Sequence, residues 1–203
     1  MKENGVLELL AAPAGIGMYA LVLFLEGTGL PGIPYEAFFL AAGVLIGAGR
    51  LALVPLLALA TLANTLGTLA GYAAGRFGGR PLLERYGPFL GVRPGAVARV
   101  ENWYARWGGA AIIISRIIGL TRTPAILLAG IARMDLKVYL FYSVLTSLGW
   151  CTAQQLVYLY LGQTAARFLS PRVLELVTLG GVLLGAFYVL LFWLTCRRRA
   201  RPS

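Results

Sequence analysis

The 203-residue chain contains no histidine. That absence removes intramembrane phosphatases and Ser/His proteases that work through an imidazole, and metal sites with histidine ligands. Cysteine is almost absent too. Cys151 and Cys196 stand far apart in apolar runs, where they read as small buried hydrophobes, not as a disulfide or a metal pair. No phosphate-binding glycine loop is present, so uphill work would draw on an ion gradient. The expectation is a non-enzyme without cofactor or metal. Charge is scarce as well: 13% of residues are ionisable, against about a quarter in soluble domains. With 59% hydrophobic residues and a mean hydropathy of +0.76, an ordinary soluble domain is excluded.

What is present is apolar chain of membrane-crossing length. Crossing about 30 Å of hydrocarbon takes about 20 helical residues. Four uncharged runs approach or exceed that: Leu9–Leu25, Leu51–Gly75, Val138–Ala166 and Leu176–Cys196. The first has only Lys2 ahead of it and no clear cleavage site, so it reads as a retained span and not as a removed signal peptide. Two further apolar segments, 27–49 and 108–132, are broken by Gly29, Pro31 and Pro34 and by Gly119 and Pro124. They read as re-entrant hairpins. The expected fold is an all-α integral membrane protein forming a single membrane domain over 1–203.

The formal net charge of +10 is distributed as topology requires, with no nucleic-acid motif beside it. Arg76, Arg80, Arg85, Arg93, Arg99 and Arg106 fall in one polar segment, and Arg197, Arg198, Arg199 and Arg201 in the tail. Placing both termini in the cytoplasm leaves only Arg50, Arg167 and Arg172 outside. The first half, 9–76, then carries hairpin 27–49. A basic, amphipathic cytoplasmic linker occupies 77–107. The second half, 108–166, carries hairpin 108–132, and the last transmembrane helix spans 173–196. The halves share an offset of 87 residues: Ala42-Gly43 with Ala129-Gly130, Gly75 with Gly162, Leu53 with Leu140, Thr65 with Thr152. Entered from opposite sides, they form an inverted repeat, an architecture in which interrupted helices meet near the midplane and build the substrate site.

The charges inside the apolar segments are the candidate site. Arg116 and Arg122 lie in the second hairpin, Glu26 and Glu36 around the first. An arginine at the bilayer centre costs about 2.5–3.5 kcal/mol even on insertion scales, so a buried pair needs partners or a task. Guanidinium forks match a phosphate or carboxylate bidentately and stay charged when buried, which makes Arg116 and Arg122 candidate substrate ligands for an anionic group such as a head-group phosphate, with pairing to Glu26 and Glu36 to hold the fold as the plainer reading. Glu26 and Glu36 are candidates for charge compensation and proton coupling; Glu36 is expected near the start of a half-helix, where the dipole favours its anion. Asn64 and Gln154 are candidate cavity-lining residues, with core hydrogen bonding as the plainer reading for them and for Gln155.

In these residues the chain resembles the DedA family, also called SNARE-associated or VTT-domain membrane proteins. The resemblance runs from about Glu26 to Gly162. Glu26 closes the first span, and Pro34-Tyr35-Glu36 stands where the family has Pro-Gly-Glu or Pro-Gly-Asp. Tyr72-Ala-Ala-Gly75-Arg76-Phe-Gly-Gly79 resembles its Tyr-x-x-Gly-Arg-x-x-Gly. Arg116-x5-Arg122, Ala129-Gly130, Met134 and Trp150 follow in the family's order. Gly119 replaces the usual proline, Thr68 a common aspartate and Ser143 a common asparagine. The resemblance implies facing re-entrant hairpins and lipid or proton-coupled transport. The expected function is therefore a lipid translocase, flippase- or scramblase-like, of the bacterial inner membrane. It would move undecaprenyl phosphate or a similar anionic lipid, with protons as candidate coupling ions. A phospholipid scramblase, a proton-coupled solute or drug transporter, and an assembly protein recruiting partners through its linker are the alternatives. Homo-oligomerisation stays open.

Overall fold

The computed structural model describes residues 11–30, 33–86, 94–118 and 122–168, with Val173, Leu176, Gly180, Leu183 and Phe187. Seven helices and no strand occur among the described residues. They are α1 (Pro13–Gly27), α2 (Tyr35–Gly47), α3 (Leu53–Tyr86), α4 (Pro94–Trp107), α5 (Ala110–Ile117), α6 (Arg122–Ile131) and α7 (Leu136–Phe168). The start of the first expected span, Gly119, most of the last expected span with Cys196, and the arginine tail lie outside the described residues.

Among the described residues, one helix is long and apolar enough to cross a membrane: Leu53–Gly79, with a mean hydropathy of 1.7. It covers the run expected at Leu51–Gly75. α1, α2 and α6 are apolar but shorter. α7 covers the expected run Val138–Ala166, its apolar character diluted by serines, threonines, tyrosines and the pair Gln154-Gln155. The start of the expected linker is helical, because α3 continues to Tyr86. At Gly79 the backbone turns to φ 61°, a conformation open to glycine, and the helix kinks ahead of Pro81.

The chain divides into two compact units. The first comprises Met1–Val22, Gly32–Leu56 and Ala153–Ser203; the second comprises Leu23–Pro31 and Leu57–Thr152. Beyond its first turn α2 is apolar on every side, which suits a buried helix, and it places Phe38, Phe39 and Ala41–Leu45 in the core of the first unit. Phe39 stacks on Tyr158 of α7 with ring centres 5.9 Å apart and meets Tyr19 edge-on at 5.7 Å. Tyr19 also donates a hydrogen bond to Gln155 Oε1 at 2.9 Å. In the second unit α6 is the buried helix, from Pro124 to Gly130. Tyr72 of α3 stacks on Tyr139 of α7 at 4.4 Å, and the Tyr139 hydroxyl donates to the Thr68 carbonyl at 2.8 Å. Linker helix α4 lays Val100, Trp103 and Tyr104 on α6, a spacing that makes one face of a helix. Tyr104 donates to the Ala125 carbonyl at 2.8 Å, and burial pushes its phenol pKa up. Ala98, Arg99, Glu101 and Asn102 remain exposed, so α4 has one buried and one exposed face.

The 87-residue offset reappears as paired contacts. In the first unit Gly162 abuts Gly43 and Val44; in the second, Gly75 abuts Gly130. Each contact joins one glycine from each half, with the roles of the halves exchanged. A Cβ at Gly43 would overlap the Tyr158 carbonyl, and one at Gly130 the Tyr72 carbonyl. Backbone has little freedom to yield, and overpacking of this kind costs about 1–3 kcal/mol. Gly43→Ala and Gly130→Ala should each lower the chemical-denaturation midpoint in micelles; unchanged midpoints would mean the helices are not in close contact there.

Candidate functional site

Five helices place polar side chains together inside the second unit. Glu26 sits one residue before the end of α1 and is 4% exposed. Gly27 and Gly67 let α1 lie directly on α3, since a Cβ on Gly27 would overlap the Asn64 carbonyl and one on Gly67 the Phe24 carbonyl. That approach puts Glu26 beside Asn64, which is fully buried. Small residues at helix contacts are the usual means of such approach in membranes.

α5 ends at Ile117 and α6 begins at Arg122, so the expected helix break between the arginines is present. Arg122, the first residue of α6, forms a two-pronged ion pair with Glu26. Nη1 pairs with Oε1, and Nη2 donates to Oε2 at 3.0 Å. Thr123 ties the start of α6 to the Gly29 carbonyl through a 2.6 Å hydrogen bond. Gly29 itself takes φ 85°, turning the chain sharply after α1. Arg116, near the end of α5, donates from Nη2 to Asn64 Oδ1 and from Nη1 to Ser147 Oγ at 3.3 Å.

Asn64 is the junction. Its Nδ2 donates to Glu26 Oε2, and its Oδ1 accepts from Arg116 and from the Ser147 hydroxyl at 2.9 Å. The amide orientation follows from its neighbours: the NH2 must face the carboxylate and the oxygen must face the guanidinium. Both guanidinium carbons lie near the Trp150 ring, Arg116 at 5.2 Å and Arg122 at 5.7 Å from its centre, within cation–π range.

The electrostatics are unbalanced. Two guanidiniums surround one carboxylate, and Arg116 is held only by neutral partners among the described residues. The Nε atoms of both arginines are buried without an acceptor. A buried, uncompensated donor is costly, so donors left in this state suit an anion that supplies the missing acceptors. No cluster of Cys, Asp and Glu suited to a metal ion occurs among the described residues.

Four of the six residues singled out by sequence thus have defined places in or beside this network: Glu26, Asn64, Arg116 and Arg122. Glu36 and Gln154 belong to the first unit. Glu36 lies in the first turn of α2, at the start of a short helix as expected, and is exposed, whereas a buried site was expected for it. The cause is its position: it precedes the buried stretch that begins at Phe38. Its surroundings there are Tyr35, Tyr158 and, through Tyr35, Gln154. Ser147 was not foreseen. The available signal was its place in α7 with Ser143 and Trp150, at i, i+4 and i+7, which form one face.

Residues 33–164 match the VTT domain family model. Undecaprenyl phosphate transporter A of Bacillus subtilis is 28% identical over 130 residues, covering 64% of each chain. YkoX, a membrane protein of Bacillus subtilis, is 32% identical over 130 residues, 64% of this chain and 57% of that one. A membrane protein of Synechocystis is 31% identical over 157 residues, 77% of this chain and 72% of that one. The chain thus spans less than two thirds of the length of the first two relatives. No solved structure matches. The chain belongs to the VTT domain family of membrane proteins, the DedA family.

Proposed function

We propose that the protein moves an anionic lipid between the leaflets of the bacterial cytoplasmic membrane, with undecaprenyl phosphate or a similar polyprenyl phosphate as the first candidate. The observation that carries this reading is the excess positive charge of the Glu26–Asn64–Arg116–Arg122 network, with two buried Nε donors awaiting an acceptor. Arg116 and Arg122 receive the head-group phosphate. Glu26 holds Arg122 while the site is empty and gives it up when the phosphate arrives. Protonation of Glu26 favours that exchange, which couples transport to protons, and Glu36 serves a second, solvent-connected step. The apolar chain stays in the hydrocarbon throughout, so only the head group needs a polar path.

The reading places hairpins 27–49 and 108–132 as re-entrant elements entering from opposite faces, in an inverted repeat with about four spanning helices. Its support is the reciprocal pairing of Gly43 with Gly162 and of Gly130 with Gly75, together with the helix break before Arg122. The arginine distribution supports cytoplasmic termini.

Lipid that co-purifies with the protein, identified by mass spectrometry, tests the reading. Wild type should retain a lipid phosphate. Arg116→Ala removes hydrogen bonds of the charged kind, about 1.5–3 kcal/mol, and should lower recovery about ten-fold or more. Equal recovery from a normally folded variant would reject the head-group role. A proton-coupled solute transporter is the second reading, favoured by the exposed cluster around Glu36. Vesicles containing purified protein separate the two: lipid exchange between leaflets supports the first, solute uptake driven by a pH gradient the second.

A further inference from the structure

Beside Arg116 lies a cavity of about 320 Å³, at the lower end of the range for small-molecule sites. Ile113, Ile117, Leu145, Gly149 and Trp150 line it together with Arg116. Thr146 also borders it, but its hydroxyl donates back to the Tyr142 carbonyl at 2.7 Å. Arg116 is therefore the charged group on an otherwise apolar wall. Ile117 is 80% exposed and Leu145 is 49% exposed, so the cavity opens sideways on the molecular surface. An apolar trough with a guanidinium at one end has the polarity of an amphiphile: anion at Arg116, hydrocarbon along the isoleucines and leucine.

Gly149 is the odd residue. It sits inside α7, where glycine weakens a helix relative to alanine. Packing does not require it, because a Cβ there would meet nothing within 4 Å. Gly43 and Gly130, in contrast, have backbone pressed against them. The missing side chain at 149 leaves free space on the wall of the cavity. The geometry points to a chain subsite: the cavity beside Arg116 seats the first segment of a single hydrocarbon chain whose phosphate binds the arginines, and Gly149 is a specificity-determining residue that keeps this seat open. This inference rests on the lipid-phosphate reading above, and adds where the chain leaves the head group and what limits its bulk. A side chain at 149 rejects a chain that is thick next to its phosphate before it rejects the phosphate.

The test uses full-length protein in micelles with Trp103, Trp107 and Trp193 changed to Phe, leaving Trp150 as the single tryptophan. The probe is dodecyl phosphate brominated on the carbons next to the phosphate; inorganic phosphate is the competitor. Bromine quenches indole fluorescence at contact, so saturable quenching is expected, with displacement by excess phosphate. Gly149→Leu should weaken the dodecyl phosphate signal about ten-fold or more while phosphate binding, read by calorimetry, stays unchanged. Its melting temperature should be equal or higher, since a better helix former replaces glycine. Gly149→Ala should give the same trend at smaller size and serves where leucine disturbs folding. Equal quenching and affinity in both variants would overturn the chain subsite and leave the lipid-phosphate reading intact. Failure of wild type to bind either phosphate would sink that reading and this inference together.

Discussion

Glu26→Ala should destabilise the protein by about 3–5 kcal/mol, the cost of removing one partner from a buried ion pair. The reason lies in what remains. Arg122 would keep a buried guanidinium with no carboxylate, and its Nε already lacks an acceptor. Asn64 would lose the acceptor of one of its NH2 hydrogens. A hydrated surface pair would register little of this, but Glu26 is 4% exposed. Glu26→Gln keeps the shape and the Asn64 contact while removing the charge, so it should fall between wild type and alanine. The double variant Glu26→Ala with Arg122→Met should regain much of the loss, because an apolar replacement of a whole buried pair is often neutral or better. Chemical denaturation in micelles gives all four values, and Arg122→Met alone closes the cycle that yields the coupling between the two sites. If Glu26→Ala matched wild type, the ion pair could not be holding the second unit together.

The legibility of the site depended on contrast. Arg116, Arg122 and Glu26 stand out because a charge in an apolar run is expensive anywhere in a bilayer, whatever the fold. Asn64 stood out more weakly, as an amide in a span, and its role as the junction between acid and base is a matter of tertiary packing that no local pattern encodes. Ser147 was silent for the same reason: a serine in a helix can satisfy itself on its own backbone, as Thr146 and Thr61 do. Glu36 lies at the start of a short helix, and its exposure is set by which turn of α2 it occupies, ahead of the buried stretch that begins at Phe38. The start of the expected linker is helical because leucine, arginine and glutamate favour helix through Tyr86 once Gly79 absorbs the kink. The repeat was visible as an offset between small residues, a pattern that glycine-rich chains produce readily. The close glycine contacts within each unit are set by tertiary packing, which that offset does not encode.

Asn64→Asp should weaken binding of an anionic lipid roughly a hundred-fold at neutral pH while leaving the site assembled. Oδ1 of Asn64 already accepts from Arg116 and Ser147, so a carboxylate there keeps both hydrogen bonds and gives Arg116 the charged partner it lacks. Two acids would then face two arginines, and the excess positive charge would vanish. One added negative charge about 6 Å from a bound phosphate, at an effective dielectric constant of about 20, costs roughly 3 kcal/mol, or about two powers of ten in affinity. The Nδ2 donor to Glu26 would also be gone, leaving two carboxylates side by side. Like charges at that range favour uptake of a shared proton. The variant's lipid affinity should therefore recover as the pH falls, because each proton taken up restores the positive excess. Titrating lipid phosphate against wild type and variant across pH checks both parts. Equal affinity at neutral pH would show that the net charge around Asn64 does not govern anion binding. A loss that persists unchanged on acidification would place its origin in altered shape instead, since only an electrostatic penalty is relieved by protons.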